Sequence, residues 1–232
     1  AQHISAVVLD GTDNIVLRIF SNLKDVSIYS VYSIVTSGVK QLLLSMTNGI
    51  QALMGEMWAK QELLELNKFF GWIEWILHSG TILIFGITSV LIVPFVQVYT
   101  KGVSDVNYIQ PLFAILIVLA NAGHCLRLPY NMMILAGGHY KQTQYNYIIA
   151  AVLNILISVI AVKKMGLVGV AIGTVVAMFY QTIWMAWYDS KNLIKWPFKN
   201  FLKQLIIDGL IVVLVHLIIN LSFMKLWFEM NS

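Results

Sequence analysis

Long apolar runs that do not alternate with polar residues are the feature that most restricts how this chain can fold. A helix needs about twenty mostly apolar residues to cross roughly 30 Å of hydrocarbon, and the backbone amides of a spanning segment must be satisfied internally. The runs therefore predict membrane-spanning helices. Seven are predicted, over residues 3–20, 26–52, 70–98, 109–135, 143–162, 166–187 and 202–222. The expected fold is an all-α, polytopic transmembrane helix bundle.

The composition supports a membrane protein and excludes several classes of site. Hydrophobic residues make up 59% of the chain and charged residues 11%, whereas about a quarter of the residues in soluble proteins are charged. The net charge of +4 is explained by basic cytoplasmic loops, so no nucleic-acid partner is expected. Cys125 is the only cysteine and the five histidines form no HxxxH or HExxH pair, which predicts neither a metal site nor a cofactor. Cys125 is interpreted as a small core residue.

The lysines in the connecting loops predict the orientation of the spans. The loops after the second, fourth and sixth predicted spans carry more lysines than the others, and the longest basic loop, with "DSKNLIKWPFKN" at 189–200, is among them. By the positive-inside rule this side is cytoplasmic.

Charged and amide side chains inside the first two spans predict a wet interior. A charge at a helix centre costs about 2.5 to 3.5 kcal/mol, so such residues usually face a cavity or the bundle interior. Asp10, Asn14 and Arg18 follow one another at intervals of four and share one stripe, and Asp13 lies to one side of it. Lys40 is too deep in the second span to reach either interface easily. It is expected to face a cavity or to pair with an acid such as Asp13.

Two later spans carry similar stripes. His124, Arg127 and Asn131 share a face beside Pro129, which is predicted to kink the helix. Asn154 lies on a polar face of the fifth span. Structural interpretations stay open: Arg127 could reach lipid headgroups, Asn154 could join two helices, and a lysine–aspartate pair could be purely architectural.

Other polar and small residues are predicted to be structural. Glu74 and His78 are expected at the membrane interface, near the start of the third span. The sixth span carries a small-residue ridge that lets another helix approach closely, formed by Gly169, Gly173 and Ala177. GxSxG, GxxxxGK[ST] and paired acids in a long loop are absent from the sequence, so no catalytic residue and no enzymatic activity are expected.

Three segments together resemble a known family. They are "TDNIVLRIFSNLKDVSIYSVYSIV" (12–35), "AGGHYKQTQYNYIIAAVLNILISVIAVKKMGLVGVAIGTVVAMFYQTIW" (136–184) and the basic loop that follows. Their order and spacing resemble the C-terminal half of polysaccharide biosynthesis proteins. These are the lipid-linked oligosaccharide flippases of the multidrug/oligosaccharidyl-lipid/polysaccharide exporter superfamily.

The resemblance implies a transporter built from two six-helix lobes that alternate between inward-open and outward-open states. Residues 1–187 would form the second lobe, 188–201 a basic cytoplasmic loop, and 202–232 an extra transmembrane helix and tail. The chain is thus expected to be part of a longer protein. The implied activity is flipping of an undecaprenyl-diphosphate-linked repeat unit across the bacterial cytoplasmic membrane, for capsule, exopolysaccharide or O-antigen assembly. The implied partners are this lipid-linked oligosaccharide, membrane lipids and other polysaccharide-assembly proteins.

A cationic path suits an anionic diphosphate headgroup, because charge-assisted hydrogen bonds can replace part of its hydration shell. The polar stripes predict the residues of this substrate path, which are Asn14, Arg18, Lys40, Arg127 and Asn154. Asp10 and Asp13 are candidates for ion coupling or charge pairing.

Four other functions remain open from the sequence. A peptidoglycan-precursor flippase would use the same chemistry. A multidrug exporter of the same superfamily should have an acidic, aromatic cavity, which Arg18 and Lys40 disfavour. A membrane-bound polysaccharide polymerase or acyltransferase should have a large outer loop, whereas the longest loops lie on the predicted cytoplasmic side. A purely structural scaffold would leave Lys40 unexplained.

Overall fold

The chain folds into a bundle of α-helices. The computed structural model describes residues 2–231, with the side chains of residues 11–47, 49–215, 217 and 218. This part contains nine helices and no strand: α1 (Gln2–Phe20), α2 (Leu23–Ser45), α3 (Thr47–Ala59), α4 (Leu63–Tyr99), α5 (Pro111–Leu126), α6 (Leu128–Ala136), α7 (Tyr140–Met165), α8 (Leu167–Asn192) and α9 (Phe198–Asn231). The predicted all-α helix bundle is confirmed.

Within the described residues, four segments are long and apolar enough to cross a membrane. They are α4, the combined α5–α6 segment Pro111–Ala136, α7 and α8. The other three predicted spans correspond to α1, α2–α3 and α9, and for these the crossing stays a prediction. The four segments identify the chain as a membrane protein.

Two predicted spans are interrupted. The predicted helix 26–52 divides at Met46 into α2 and α3, where the hydroxyls of Ser45 and Thr47 each donate 2.7 Å hydrogen bonds to carbonyls three residues earlier. Such side-chain bonds compete with the helical ladder. The predicted helix 109–135 divides at Arg127 into α5 and α6, because Pro129 has no N–H to donate to the preceding turn. The predicted kink is confirmed.

Two predicted boundaries also move. α4 begins seven residues before the predicted start of the third span, and α8 continues to Asn192. The connection predicted over 188–201 is therefore only residues 193–197, since α9 begins at Phe198. The basic residues around it lie mostly in helices.

α7 and α8 form a tight helical hairpin that holds the bundle together. A Cβ atom on Gly169 would collide with the backbone of Ala161, and one on Gly173 would collide with Ser158. The small-residue ridge predicted here is confirmed as a packing surface. The turn between the two helices requires Gly166, whose φ of 52° and ψ of −130° suit only glycine.

The other helices pack around this hairpin. α5 lies against α8, α4 and α2; α1 lies against α7, α8 and α2; and α9 lies against α4 and α8. Cys125 on α5 is fully buried, as predicted for a small core residue. The packing brings polar faces of α1, α2, α5 and α8 together.

Candidate functional site: a polar cavity between four helices

A polar cavity of 280 Å³ lies between α1, α2, α5 and α8. Of the 13 described residues that line it, only Ala120 and Met178 are apolar. The polar stripe of α2 forms one wall, because its residues recur every three or four positions and so share a helix face. This wall consists of Tyr29, Ser33, Thr36, Ser37, Lys40 and Gln41.

Asp13 organises one end of this cavity. It is 3% exposed, and its Oδ2 accepts hydrogen bonds from the Tyr29 hydroxyl (3.0 Å) and the Thr174 hydroxyl (2.7 Å). Its Oδ1 accepts one from the Asn154 side-chain amide at 3.3 Å, and the amide oxygen of Asn154 accepts from Ser158 at 3.0 Å. One carboxylate thus connects α1 to α2, α7 and α8.

The cavity is cationic around Lys40. Lys40 is half-buried and lines the cavity together with His124. Nη2 of Arg127 lies 3.2 Å from Nδ1 of His124, and the Arg127 guanidinium lies 5.8 Å from the centre of the Tyr147 ring. The charges of Lys40 and Arg127 both act on His124. Tyr29, at the Asp13 end, is eleven residues from Lys40 in α2, about 16 Å along a helix.

The predicted path residues have different positions relative to this cavity. Asn14 and Lys40 line it, and Asn154 is bonded to Asp13 at its edge. Arg127 is buried behind His124. Arg18 is exposed in the last turn of α1 and does not line the cavity.

Asp10 and Asp13 are the two acids predicted to take part in ion coupling or charge pairing, and of these the structure describes the side chain of Asp13. Asp13 lines the cavity and accepts hydrogen bonds from neutral donors, so its pairing with Lys40 stays a prediction. The side chain of Asp10 lies outside the described residues.

The sequence reasoning missed Thr174, which donates to Asp13. It lies next to Gly173 on α8, a helix for which the sequence pattern predicts only a packing ridge. A hydroxyl beside a tight interface was the available signal, since Ser and Thr often hydrogen-bond across membrane helices.

Glu74 and His78, which were predicted to be interfacial, are buried inside the bundle, and their position relative to the membrane interface stays a prediction. They are 3% and 0% exposed, because α9 packs against α4 and covers this face. His78 contacts Asp208 of α9, with 2.7 Å between Nδ1 and Oδ2. The bundle therefore contains a second polar cluster, separate from the cavity.

Comparisons with known proteins give no relative. No protein-family model, no curated protein and no solved structure matches this chain.

Proposed function

We propose that the chain forms one lobe of a flippase that moves an undecaprenyl-diphosphate-linked oligosaccharide across the bacterial cytoplasmic membrane by alternating access. The observation that carries the proposal is the polar cavity with Lys40 and His124 in its wall and Arg127 behind them. A diphosphate must exchange its hydration shell for protein donors to enter a bundle. Hydrogen bonds to charged groups contribute about 1.5–3 kcal/mol each, which supports a headgroup site here.

The size and lining of the cavity suit a headgroup. Its 280 Å³ lies just below the roughly 300–1,000 Å³ typical of small-molecule pockets. A pocket of this size can hold a diphosphate surrounded by hydroxyl and amide groups of the protein. The lipid tail and the oligosaccharide would lie outside the cavity. The hydroxyls of Ser33 and Ser37 supply further donors.

The charge pattern favours an anionic substrate over a cationic drug. Among the described lining residues Asp13 is the one acid, and both of its oxygens already accept hydrogen bonds. Lys40 and the neighbouring Arg127 contribute positive charge. A peptidoglycan precursor carries the same diphosphate. The two kinds of flippase would therefore differ in which sugar part of the substrate they bind.

Competition binding tests the proposal. The purified chain in lipid nanodiscs is mixed with radiolabelled undecaprenyl diphosphate, and undecaprenyl phosphate, undecaprenol and a cationic dye are added as competitors. We expect unlabelled diphosphate to compete at least tenfold better than the monophosphate, and the alcohol and the dye to compete weakly. Equal competition by undecaprenol, or strong competition by the dye, would contradict the proposal. Oligosaccharide-linked and muropeptide-linked diphosphates, compared in the same assay, then separate the two flippases.

A further inference from the structure

A continuous chain of hydrogen bonds between ionisable side chains lies between α4, α6 and α9. Nδ1 of His78 is 2.7 Å from Oδ2 of Asp208, and Nε2 of His78 is 3.2 Å from the Tyr130 hydroxyl. The Tyr130 hydroxyl donates to Oε1 of Glu74 at 2.7 Å. All four residues are 0–3% exposed. This series of hydrogen bonds connects an acid of α9 to an acid of α4 through groups that can each accept and donate a proton.

Two neutral side chains donate hydrogen bonds to the acids at the two ends of this series of hydrogen bonds. The indole N–H of Trp196, in the α8–α9 connection, donates to Oε2 of Glu74 at 2.7 Å. The side-chain amide of Gln204, on α9, donates to Oδ1 of Asp208 at 3.0 Å. Neither donor carries a charge that could neutralise the two acids.

Asp189 of α8 adds a third acid. It is 1% exposed, and within the described part of the chain neither carboxyl oxygen has a hydrogen-bond partner. It lines a narrow void that Glu74 and Tyr130 also line, and this void is too small for a water molecule. A buried ionised carboxylate without donors is strongly disfavoured, and among the described residues no group of three or more His, Cys, Asp or Glu side chains could hold a metal ion. The ligand that fits is a proton.

The net charge of the buried cluster also favours a proton as the ligand. The polar and titratable groups that face the cluster are Glu74 and His78 from α4, Tyr130 from α6, Tyr147 from α7, Tyr188, Asp189 and Ser190 from α8, Gln204 and Asp208 from α9, and Trp196. No lysine or arginine occurs among the described side chains that bond to the cluster or line its void. With three ionised acids and a protonated histidine the net charge would be −2. Burial of uncompensated charge is unfavourable, so proton uptake is favoured.

We propose that this cluster is a buried proton-binding site in which Asp189 holds the proton. Uptake transfers one proton from a hydronium ion of the bulk solvent to a carboxylate: one O–H bond of the hydronium ion breaks, one O–H bond forms on the carboxyl group, and water is released. A second proton can shift along the chain: Asp208 gives its proton to Nδ1 of His78, Nε2 gives one to Tyr130, and Tyr130 gives one to Glu74. Asp208 then loses an O–H bond and Glu74 gains one. The site is independent of the cavity and of the flippase proposal.

Infrared spectroscopy of the whole chain in nanodiscs tests this site. The C=O band of protonated carboxyl groups is recorded as the pH is raised from neutral. We expect a band at neutral pH that disappears at alkaline pH, and we expect Asp189→Asn to weaken this band by removing the part that Asp189 contributes. Asp105→Asn is the matched control, because Asp105 is exposed in the α4–α5 connection, and it should leave the band unchanged.

Two results of the infrared experiment would overturn the proton-binding site. Absence of the band in the unmodified chain at neutral pH overturns the proposal, and so does a band that Asp189→Asn leaves unchanged. If Asp189→Asn does not fold, Glu74→Gln replaces it, because Glu74 lines the same void. That substitution should shift the frequency of the band, and an unshifted band would overturn the proposal.

Stability as a function of pH gives a second readout. Cys125 is the only cysteine and is buried, so its labelling by a thiol-reactive dye reports unfolding. The unfolded chain releases the proton that the folded chain holds, so the folded state binds more protons and the Tm should fall as the pH rises. Asp189→Asn should flatten this dependence, whereas Asp105→Asn should not. Equal pH dependence in all three proteins would contradict the site.

Discussion

Asp13→Ala is expected to lower the free energy of unfolding by about 3 kcal/mol. The substitution removes the acceptor shared by Tyr29, Asn154 and Thr174, in a region where Asp13 is 3% exposed. A buried donor left without a partner costs about 1–3 kcal/mol. Thr174 recovers part of this because it also donates to the Val170 carbonyl. The effect is large because one carboxylate connects four helices.

Unfolding of the chain in mixed micelles with increasing SDS, followed by dye labelling of Cys125, measures this loss. Asp105→Ala removes an exposed acid and should change stability by less than about 0.5 kcal/mol. Asp13→Asn keeps one oxygen acceptor and the shape of the side chain, and it should lie between the two. If Asp13→Ala were as stable as Asp105→Ala, the hydrogen bonds at Asp13 would not hold the helices together.

Gly173→Ala is expected to destabilise the α7–α8 hairpin by about 2 kcal/mol or more. The added methyl group would collide with the Ser158 hydroxyl and lie 3.0 Å from the Asn154 carbonyl oxygen. Overpacking of this kind costs about 1–3 kcal/mol, and the nearby backbone cannot rotate away as a flexible side chain could. Because Asn154 is bonded to Asp13, the strain should also disturb the edge of the cavity.

Gly38→Ala is the matched control for this substitution. Gly38 lies inside α2, and a Cβ atom there meets no atom within 4 Å. Alanine is favoured over glycine in a helix by roughly 0.5–1 kcal/mol, so this variant should be slightly more stable than the unmodified chain. The same SDS titration compares the two variants, and equal stabilities would contradict close packing at Gly173.

The helical architecture was predictable because local signals determine it. Apolar length identified the segments that form α4, α5–α6, α7 and α8. The Pro129 kink follows from a missing N–H, and the glycine ridge follows from spacing on one face. Within the α2 wall of the cavity, Lys40 was predicted from its depth in the span, and the other polar residues share its helix face because they recur every three or four positions.

The remaining features depend on contacts between distant segments. Glu74 and His78 lie near the end of a span in sequence, and their burial depends on α9, more than 100 residues later. Arg18 continues the stripe of Asn14, yet it lies in the last turn of α1, where the helix leaves the cavity wall. The role of Thr174 depends on where α1 docks. Periodicity within one helix contains no information on these neighbours.

The binding of undecaprenyl diphosphate to Lys40→Met tests the central claim most directly. Methionine keeps the length of the side chain and removes its charge, and Lys101→Met removes an exposed lysine of the α4–α5 connection as the matched control. Loss of a charge-assisted hydrogen bond worth about 1.5–3 kcal/mol predicts a roughly tenfold to hundredfold rise in Kd for Lys40→Met and little change for Lys101→Met. Equal Kd values for the two variants in the same nanodiscs would contradict a headgroup site in the cavity.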